Sequence, residues 1–168
     1  VLINNAGMIG DVNRVGLLQP QKIIDCYHLN LVSPILLSNL FVKTYTHVGE
    51  HKMVLNISSG AGRTPIDGWS VYCSTKAGMD MFSKVLNEEL IMDNSNIKVL
   101  SLAPGIIDTD MQAAIRTANS SQFSSVERFI NYKEEGELTP PTTTAQQVLR
   151  FIDEDNWQTE VICSVRDL

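Results

Sequence analysis

Only three cysteines occur in the 168 residues, Cys26, Cys73 and Cys163. Odd in number, widely spaced and in no CxxC pattern, they suggest neither a disulfide framework nor a thiolate zinc site, and read as reduced thiols of a cytosolic protein. The histidines are equally sparse. His47 and His51 are four apart, but Gly49 between them reads as a turn, and with His28 they form no ligand set, so no metal is expected. Basic residues are outnumbered, 13 Lys and Arg against 19 Asp and Glu, for a net charge of -6. Phosphate binding normally shows as a basic stripe, and none is present, which argues against a nucleic-acid partner. The longest apolar stretches, such as Ile35 to Leu37 and Leu40 to Val42, fall far short of the roughly 20 residues that span a bilayer. No internal repeat, low-complexity tract or G-x-G-x-x-G turn occurs; Asn5 to Gly10 holds two glycines, but without the spacing or the following helix start.

What is present fits one globular domain with a real core, 43% apolar and 19% charged. Strand-like and helix-like runs alternate, the mark of an α/β fold with a parallel sheet. Strands are expected at Val1 to Ile3, Met53 to Ile57, Ile97 to Leu102 and Val161 to Val165. The second is apolar throughout except for Asn56, as in a strand covered on both faces. Long helices are expected over Pro20 to Thr46, with Pro34 a candidate kink, and over Ser70 to Met92, with Met79, Phe82, Val85, Leu86 and Leu90 as its buried stripe. Shorter ones are expected over Asp108 to Ala118, Phe123 to Tyr132 and Ala145 to Glu154, and Pro140 to Thr144 reads as a turn and helix start. Four strands make only part of a doubly wound sheet. With Val1 rather than Met in first place, the expectation is a chain whose N-terminal part, including the glycine-rich cofactor turn, is missing: three strand-helix units of roughly 30 residues each.

Tyr72 and Lys76 lie four apart on a predicted helix, on one face and one turn apart. An ammonium there favours the phenolate, as does the positive ring of an oxidised nicotinamide, so the pair suits a general acid for carbonyl reduction. By itself such a pair is more often a surface contact on an amphipathic helix. Its surroundings change that reading. Asn4-Asn5-Ala6-Gly7, Ser58-Ser59 and Pro104-Gly105 each follow a strand, at the carboxyl ends where open α/β sheets place their ligands.

These segments, with Asn30 and Pro104-Gly105-x-x-x-Thr109, stand in the order and approximate spacing of the short-chain dehydrogenases/reductases, which the chain resembles over nearly its whole length. Ser59, thirteen residues before Tyr72, matches that family's catalytic serine; Ser58 fits better as a turn residue. Several segments resemble the sepiapterin and benzil reductases more closely: Asn5 to Val12, Gly68 to Lys76, Ala103 to Gln112 and, for the benzil-reducing members, Arg128 to Leu138.

The resemblance implies a Rossmann-like fold, of which residues 1–168 form the C-terminal two-thirds of one domain. It further implies an NADPH-dependent carbonyl reductase acting on a ketone or diketone, with NAD left open. Tyr72 is then the proton donor and Ser59 the partner of the substrate oxygen. Lys76 binds nicotinamide ribose and lowers the Tyr72 pKa, while Asn30 holds a water in a proton relay. Asn4, Ala6 and Gly7 lie against the ribose and adenosine side of the cofactor. Pro104, Gly105, Ile107 and Thr109 fix the nicotinamide, Ile107 through its backbone. Trp69 and Met111 flank the substrate. Plainer readings stand beside these: Asn30 as a polar kink residue, Asn4 to Gly7 as a strand-ending turn, Thr109 as a helix cap, Trp69 as packing under a loop. Sepiapterin reductases carry a pterin-anchoring carboxylate near the carboxyl terminus; here the nearer equivalents are Cys163 and Ser164, with Asp167 only a shifted candidate, which weakens the pterin reading. The two long helices resemble those of the family's dimer interface and imply a homodimer. A non-catalytic nucleotide-binding relative is the alternative, although Ser59, Tyr72 and Lys76 are all kept.

Overall fold

A computed structural model describes residues 1–46, 49, 52–154, 157 and 160–168; the pair His47 and His51 lies outside the described residues. Four parallel strands, β1 (Leu2–Asn4), β2 (Lys52–Ile57), β3 (Ile97–Ala103) and β4 (Ile162–Ser164), form one sheet in the order β1-β2-β3-β4. The helices are α1 (Pro20–Tyr27), α2 (Ser33–Tyr45), α3 (Ser70–Met92), α4 (Asp110–Arg116), α5 (Val126–Glu134) and α6 (Pro141–Asp153). This is the expected α/β architecture, with α6 beginning at the Pro140-Pro141 turn. Among the described residues no helix is long and apolar enough to cross a membrane.

Period-two alternation decides what each strand residue meets. Met53 and Leu55 of β2, with Leu100, Leu102 and Cys163, pack against Val148, Phe151 and Ile152 of α6. Val54 and Val99 turn the other way, onto Phe41 and Val42 of α2 and Phe82, Leu86 and Leu90 of α3. The central strands are therefore covered on both faces, which is why β2 reads as an almost unbroken apolar run.

Asn56 interrupts that run for a reason visible in the register. Asn4 pairs with Asn56 and Asn56 with Ser101, so three polar residues form a row across β1, β2 and β3 on the face toward α2 and α3. Asn4 Nδ2 donates to Asn56 Oδ1 (2.7 Å) and Ser38 Oγ (3.2 Å), and Asn56 Nδ2 donates to Ser83 Oγ (2.9 Å). Ser101 Oγ donates to Asp80 Oδ1 at 2.7 Å. Each such bond contributes only about 1 kcal/mol net, but stranding a buried partner costs about 1–3 kcal/mol, so the row penalises any sliding of α3 along the sheet.

The expected long helix runs from Pro20 to Tyr45 with a five-residue π-helical segment, His28–Val32, at its middle. The irregularity precedes Pro34 rather than sitting on it. A proline nitrogen has no hydrogen and its ring crowds the carbonyl four residues back, here that of Asn30. The wider turn resolves that crowding, and Ser33 bonds the His28 carbonyl with both its backbone N–H and its hydroxyl (2.8 Å).

Candidate active site

β2 delivers Ser59. Past Ile57 the Ser58 N–H still bonds the Leu102 carbonyl (2.8 Å), and Ser59 then caps a 3₁₀ turn, Gly60–Gly62, by accepting from the Ala61 N–H at 3.2 Å. That turn sits directly on α3. A Cβ on Gly62 would stand 2.9 Å from the Lys76 carbonyl carbon and 3.0 Å from the Ala77 nitrogen, so only glycine lets the two backbones meet. The approach brings the Ser59 side chain close enough to the Tyr72 hydroxyl to favour its ionised form.

Lys76 is 5% exposed; its Nζ donates to the Ile57 carbonyl at 2.7 Å and stands 5.7 Å from the centre of the Tyr72 ring. Burial pulls its ammonium down to about 8, while Cys26 and Asp80 act in the opposite sense. Burial also pushes the Tyr72 phenol up, against the lowering effect of the Ser59 bond, with Cys26 and Cys73 adding to the rise. The expectation that Lys76 lowers Tyr72 is thus not met in the free chain. The ammonium lies below the ring on a backbone carbonyl, and desolvation of the phenolate dominates. A neutral Tyr72 is the form that can give up a proton.

Asn30 is almost wholly buried, and its side chain is fully engaged. Oδ1 accepts from the Met8 N–H (2.8 Å), and Nδ2 donates to the Met8 carbonyl (2.8 Å), Thr75 Oγ1 (3.2 Å) and Cys26 Sγ (3.3 Å). It therefore clamps the loop after β1 to α3. A Cβ added at Gly7, in that loop, would stand 3.5 Å from Asn30 Oδ1 and 3.7 Å from Lys76 Nζ, so two of the three strand-end segments, those after β1 and β2, come to the Tyr72–Lys76 face of α3. Any relay role for Asn30 falls to its backbone carbonyl, which Pro34 cannot serve as a donor.

The remaining expected residues surround this centre. Asn4 spends its amide nitrogen inside the sheet, whereas Ala6 is exposed. Past β3, Pro104 and Gly105 (φ +86°) turn the chain toward an isolated bridge between Ile107 and Thr139. That bridge uses the Ile106 carbonyl and the Asp108 N–H, so the backbone groups of Ile107 itself face away from it. Thr109 caps α4, accepting from the Gln112 N–H at 3.4 Å. Trp69 (6% exposed) stacks on Phe123 at 5.3 Å and meets Tyr72 edge-on at 5.7 Å, in a cluster that also takes in Met111, Ile115 and Phe129; its indole N–H is buried without a partner. Cys163 of β4 is buried in the core, and Asp167 Oδ2 accepts from the Ser164 N–H at 2.7 Å, closing the 3₁₀ turn that follows β4.

Gly62, Asp80 and Arg63 escaped the sequence reading. Asp80 extends the Tyr72–Lys76 spacing by one more turn, and Gly62 follows Ser59 by three, the only signals either residue gives. Among the described residues no cluster of His, Cys, Asp or Glu could hold a metal.

The family model for short chain dehydrogenases matches residues 1–120. The chain belongs to the short-chain dehydrogenase/reductase family. It is similar to benzil reductase ((S)-benzoin forming) of Bacillus subtilis, 40% identical over 90% of this chain and 63% of that protein, and to that of Bacillus cereus, 38% identical over 96% and 65%. Sepiapterin reductase of Xenopus tropicalis is 34% identical over 94% of this chain and 60% of its own length. The chain thus spans less than two-thirds of these relatives. Among solved structures, the KRED1-Pglu enzyme superposes with a TM-score of 0.79 at 29% identity, covering 89% of this chain and 61% of the other. A Saccharomyces cerevisiae short-chain dehydrogenase/reductase does so with 0.86 at 24% identity, covering 99% and 65%, and the latter likeness speaks to the fold alone.

Proposed function

We propose that the protein to which these residues belong is a carbonyl reductase of the benzil/sepiapterin type that uses NADPH, with a ketone or diketone as substrate. The observation that carries this reading is the approach of the Ser59 turn to α3, which sets Ser59 beside the Tyr72 hydroxyl with Lys76 one turn below. Two hydroxyls so close can both reach one carbonyl oxygen. A bound nicotinamide cofactor supplies the hydride. The chain supplies the rest: Ser59 donates to the carbonyl oxygen, Tyr72 gives that oxygen its proton, and both stabilise the forming alkoxide. Lys76 holds a positive charge under the phenol and is placed to meet a ribose hydroxyl. Gly7 offers a side-chain-free surface beside Lys76, and the unpaired backbone face of Ile107, with Pro104, Gly105 and Thr109, fits a carboxamide. Ala6 and the Asn4 backbone flank the same crevice.

The wall of Trp69 and Met111 favours a flat, aromatic carbonyl compound, and the Cys163 and Ser164 that stand where sepiapterin reductases carry their carboxylate favour a diketone over a pterin. Exposed Ile24, Leu36, Leu37 and Leu40 on α1 and α2, with Met81, Val85 and Ile91 on α3, supply apolar faces for a homodimer. Three free cysteines suit the reducing cytosol. The test is benzil-dependent oxidation of NADPH by the full-length protein. Tyr72→Phe should lower turnover at least about a hundredfold, the scale of general acid catalysis. Undiminished turnover in that variant would overturn the mechanism.

A further inference from the structure

Tyr72, Lys76, Asp80 and Ser83 form a buried polar stripe down α3, at the spacing that keeps them on one face. Lys76 holds the most demanding position in it. Its ammonium is out of water and its hydrogen-bond acceptor is a neutral carbonyl, an arrangement that by itself favours losing the proton. The charged and titratable groups facing it are the Tyr72 phenol one turn before, the Cys26 thiol from α1 and the Asp80 carboxylate one turn after. The phenol and the thiol are both pushed up by burial and stay neutral at neutral pH. Asp80 is the anion of the set.

Its geometry is fixed from two sides. Oδ1 accepts from Ser101 Oγ on β3 at 2.7 Å, and Oδ2 accepts from Arg63 Nε at 3.1 Å. Arg63 in turn donates from its terminal nitrogen to the Cys163 carbonyl on β4, at 3.3 Å. Arg63 follows Gly62 in the turn that Ser59 caps, so one carboxylate ties the serine turn, the lysine helix and two strands together. A carboxylate held by bonds at both oxygens cannot swing away from its helix.

We propose that Asp80 is a positioning residue for the Tyr72–Lys76 pair: a buried anion, clamped by Ser101 and Arg63, that keeps Lys76 an ammonium beneath the phenol. This rests on the reductase reading above. Arg63 opposes Asp80 in this role, because its own charge offsets part of the field that reaches Lys76.

The experiment is the pH profile of benzil reduction by the full-length enzyme, with NADPH, for wild type, Asp80→Asn, Asp80→Glu and Arg63→Met. Asp80→Asn should move the alkaline limb of kcat down by about half to one pH unit and lower kcat about tenfold at pH 8, with KM changing less. Asp80→Glu should restore part of both. Arg63→Met breaks the same ion pair but leaves the anion and removes the charge that offsets it, so its limb should move up. A purely structural ion pair predicts the contrary, that Asn and Met variants fall together with no shift of the limb, and that result overturns the proposal. Should Asp80→Asn fail to fold, Arg63→Met decides alone: a limb that moves up supports the proposal, and one that stays or moves down overturns it. Failure of the reductase reading itself would show separately, as turnover that survives Tyr72→Phe.

Discussion

Asn30 and Pro34 stand four residues apart in one helical run, and the missing N–H of Pro34 leaves the Asn30 carbonyl without its α-helical donor. The same proline forces the π-turn that aims the Asn30 side chain at both backbone groups of Met8. Pro34→Ala should let the segment relax toward a regular α-helix, turning the Asn30 amide off the loop that carries Gly7. A helix-interior proline costs up to about 3 kcal/mol against alanine, so the variant is expected to melt no lower than wild type while its turnover falls severalfold. Melting temperature and kcat measured together check this, and a fall in melting temperature with normal turnover would contradict it.

Lys76 gives a pH signature in stability as well as in rate. Burial brings it from 10.5 to about 8 in the folded chain. Between those values the unfolded chain still holds a proton that the folded chain has released, so stability rises with pH across that window; below about 8 both forms are protonated and the contribution is flat. The span corresponds to roughly 3 kcal/mol at most. Lys76→Met removes the titration. Its stability relative to wild type, from urea unfolding, should therefore be greater at pH 7 than at pH 10, and a constant difference would mean that Lys76 titrates like a lysine in water.

Element types were legible because their patterns are local. The three-to-four spacing of Met79, Phe82, Leu86 and Leu90 and the apolar run of β2 each report a buried face directly, and α3 spans the expected Ser70 to Met92; Val85, expected in the same stripe, instead lies 48% exposed at its edge. Tyr72, Lys76 and Ser59 were legible through their fixed separations, and in the structure Lys76 Nζ stands 5.7 Å from the Tyr72 ring with Ser59 at the end of the neighbouring strand. The π-turn was not, since a proline announces a break but not how the helix absorbs it. Nor was the row of Asn4, Asn56 and Ser101, because it exists only in the register of three strands far apart in sequence. The direction of the Tyr72 shift was missed for a related reason. Spacing shows that a lysine is near, whereas the cost of burying the phenolate depends on what else packs around the ring.

Gly62 offers a test of how closely the serine turn must approach α3. Alanine there would place its Cβ against backbone atoms, which cannot move aside as a side chain would. The turn should lift, separating Ser59 from Tyr72. Overpacking of this kind costs about 1–3 kcal/mol. The expected result for Gly62→Ala is a loss of kcat of tenfold or more in a protein that still folds, read from steady-state rates beside a circular dichroism melt. Wild-type kcat would show that the turn has slack.

The aromatic cluster around Trp69 links the stability of the substrate side to chemistry at Tyr72. Phe123 is fully buried, stacks on Trp69 and packs against Phe129 at 5.5 Å, so it holds the ring that meets Tyr72 edge-on. Phe123→Ala should cost about 3–5 kcal/mol, the range for emptying a buried aromatic site. Phe123→Leu keeps most of the volume and should cost less than about 1.5 kcal/mol. If the cluster also shapes the substrate wall, the leucine variant will show a raised KM for benzil with a much smaller change for a compact aliphatic diketone, because only the flat substrate needs the stacked rings. Equal KM changes for the two substrates would confine Trp69 to packing beneath its loop and move the substrate wall elsewhere in the site.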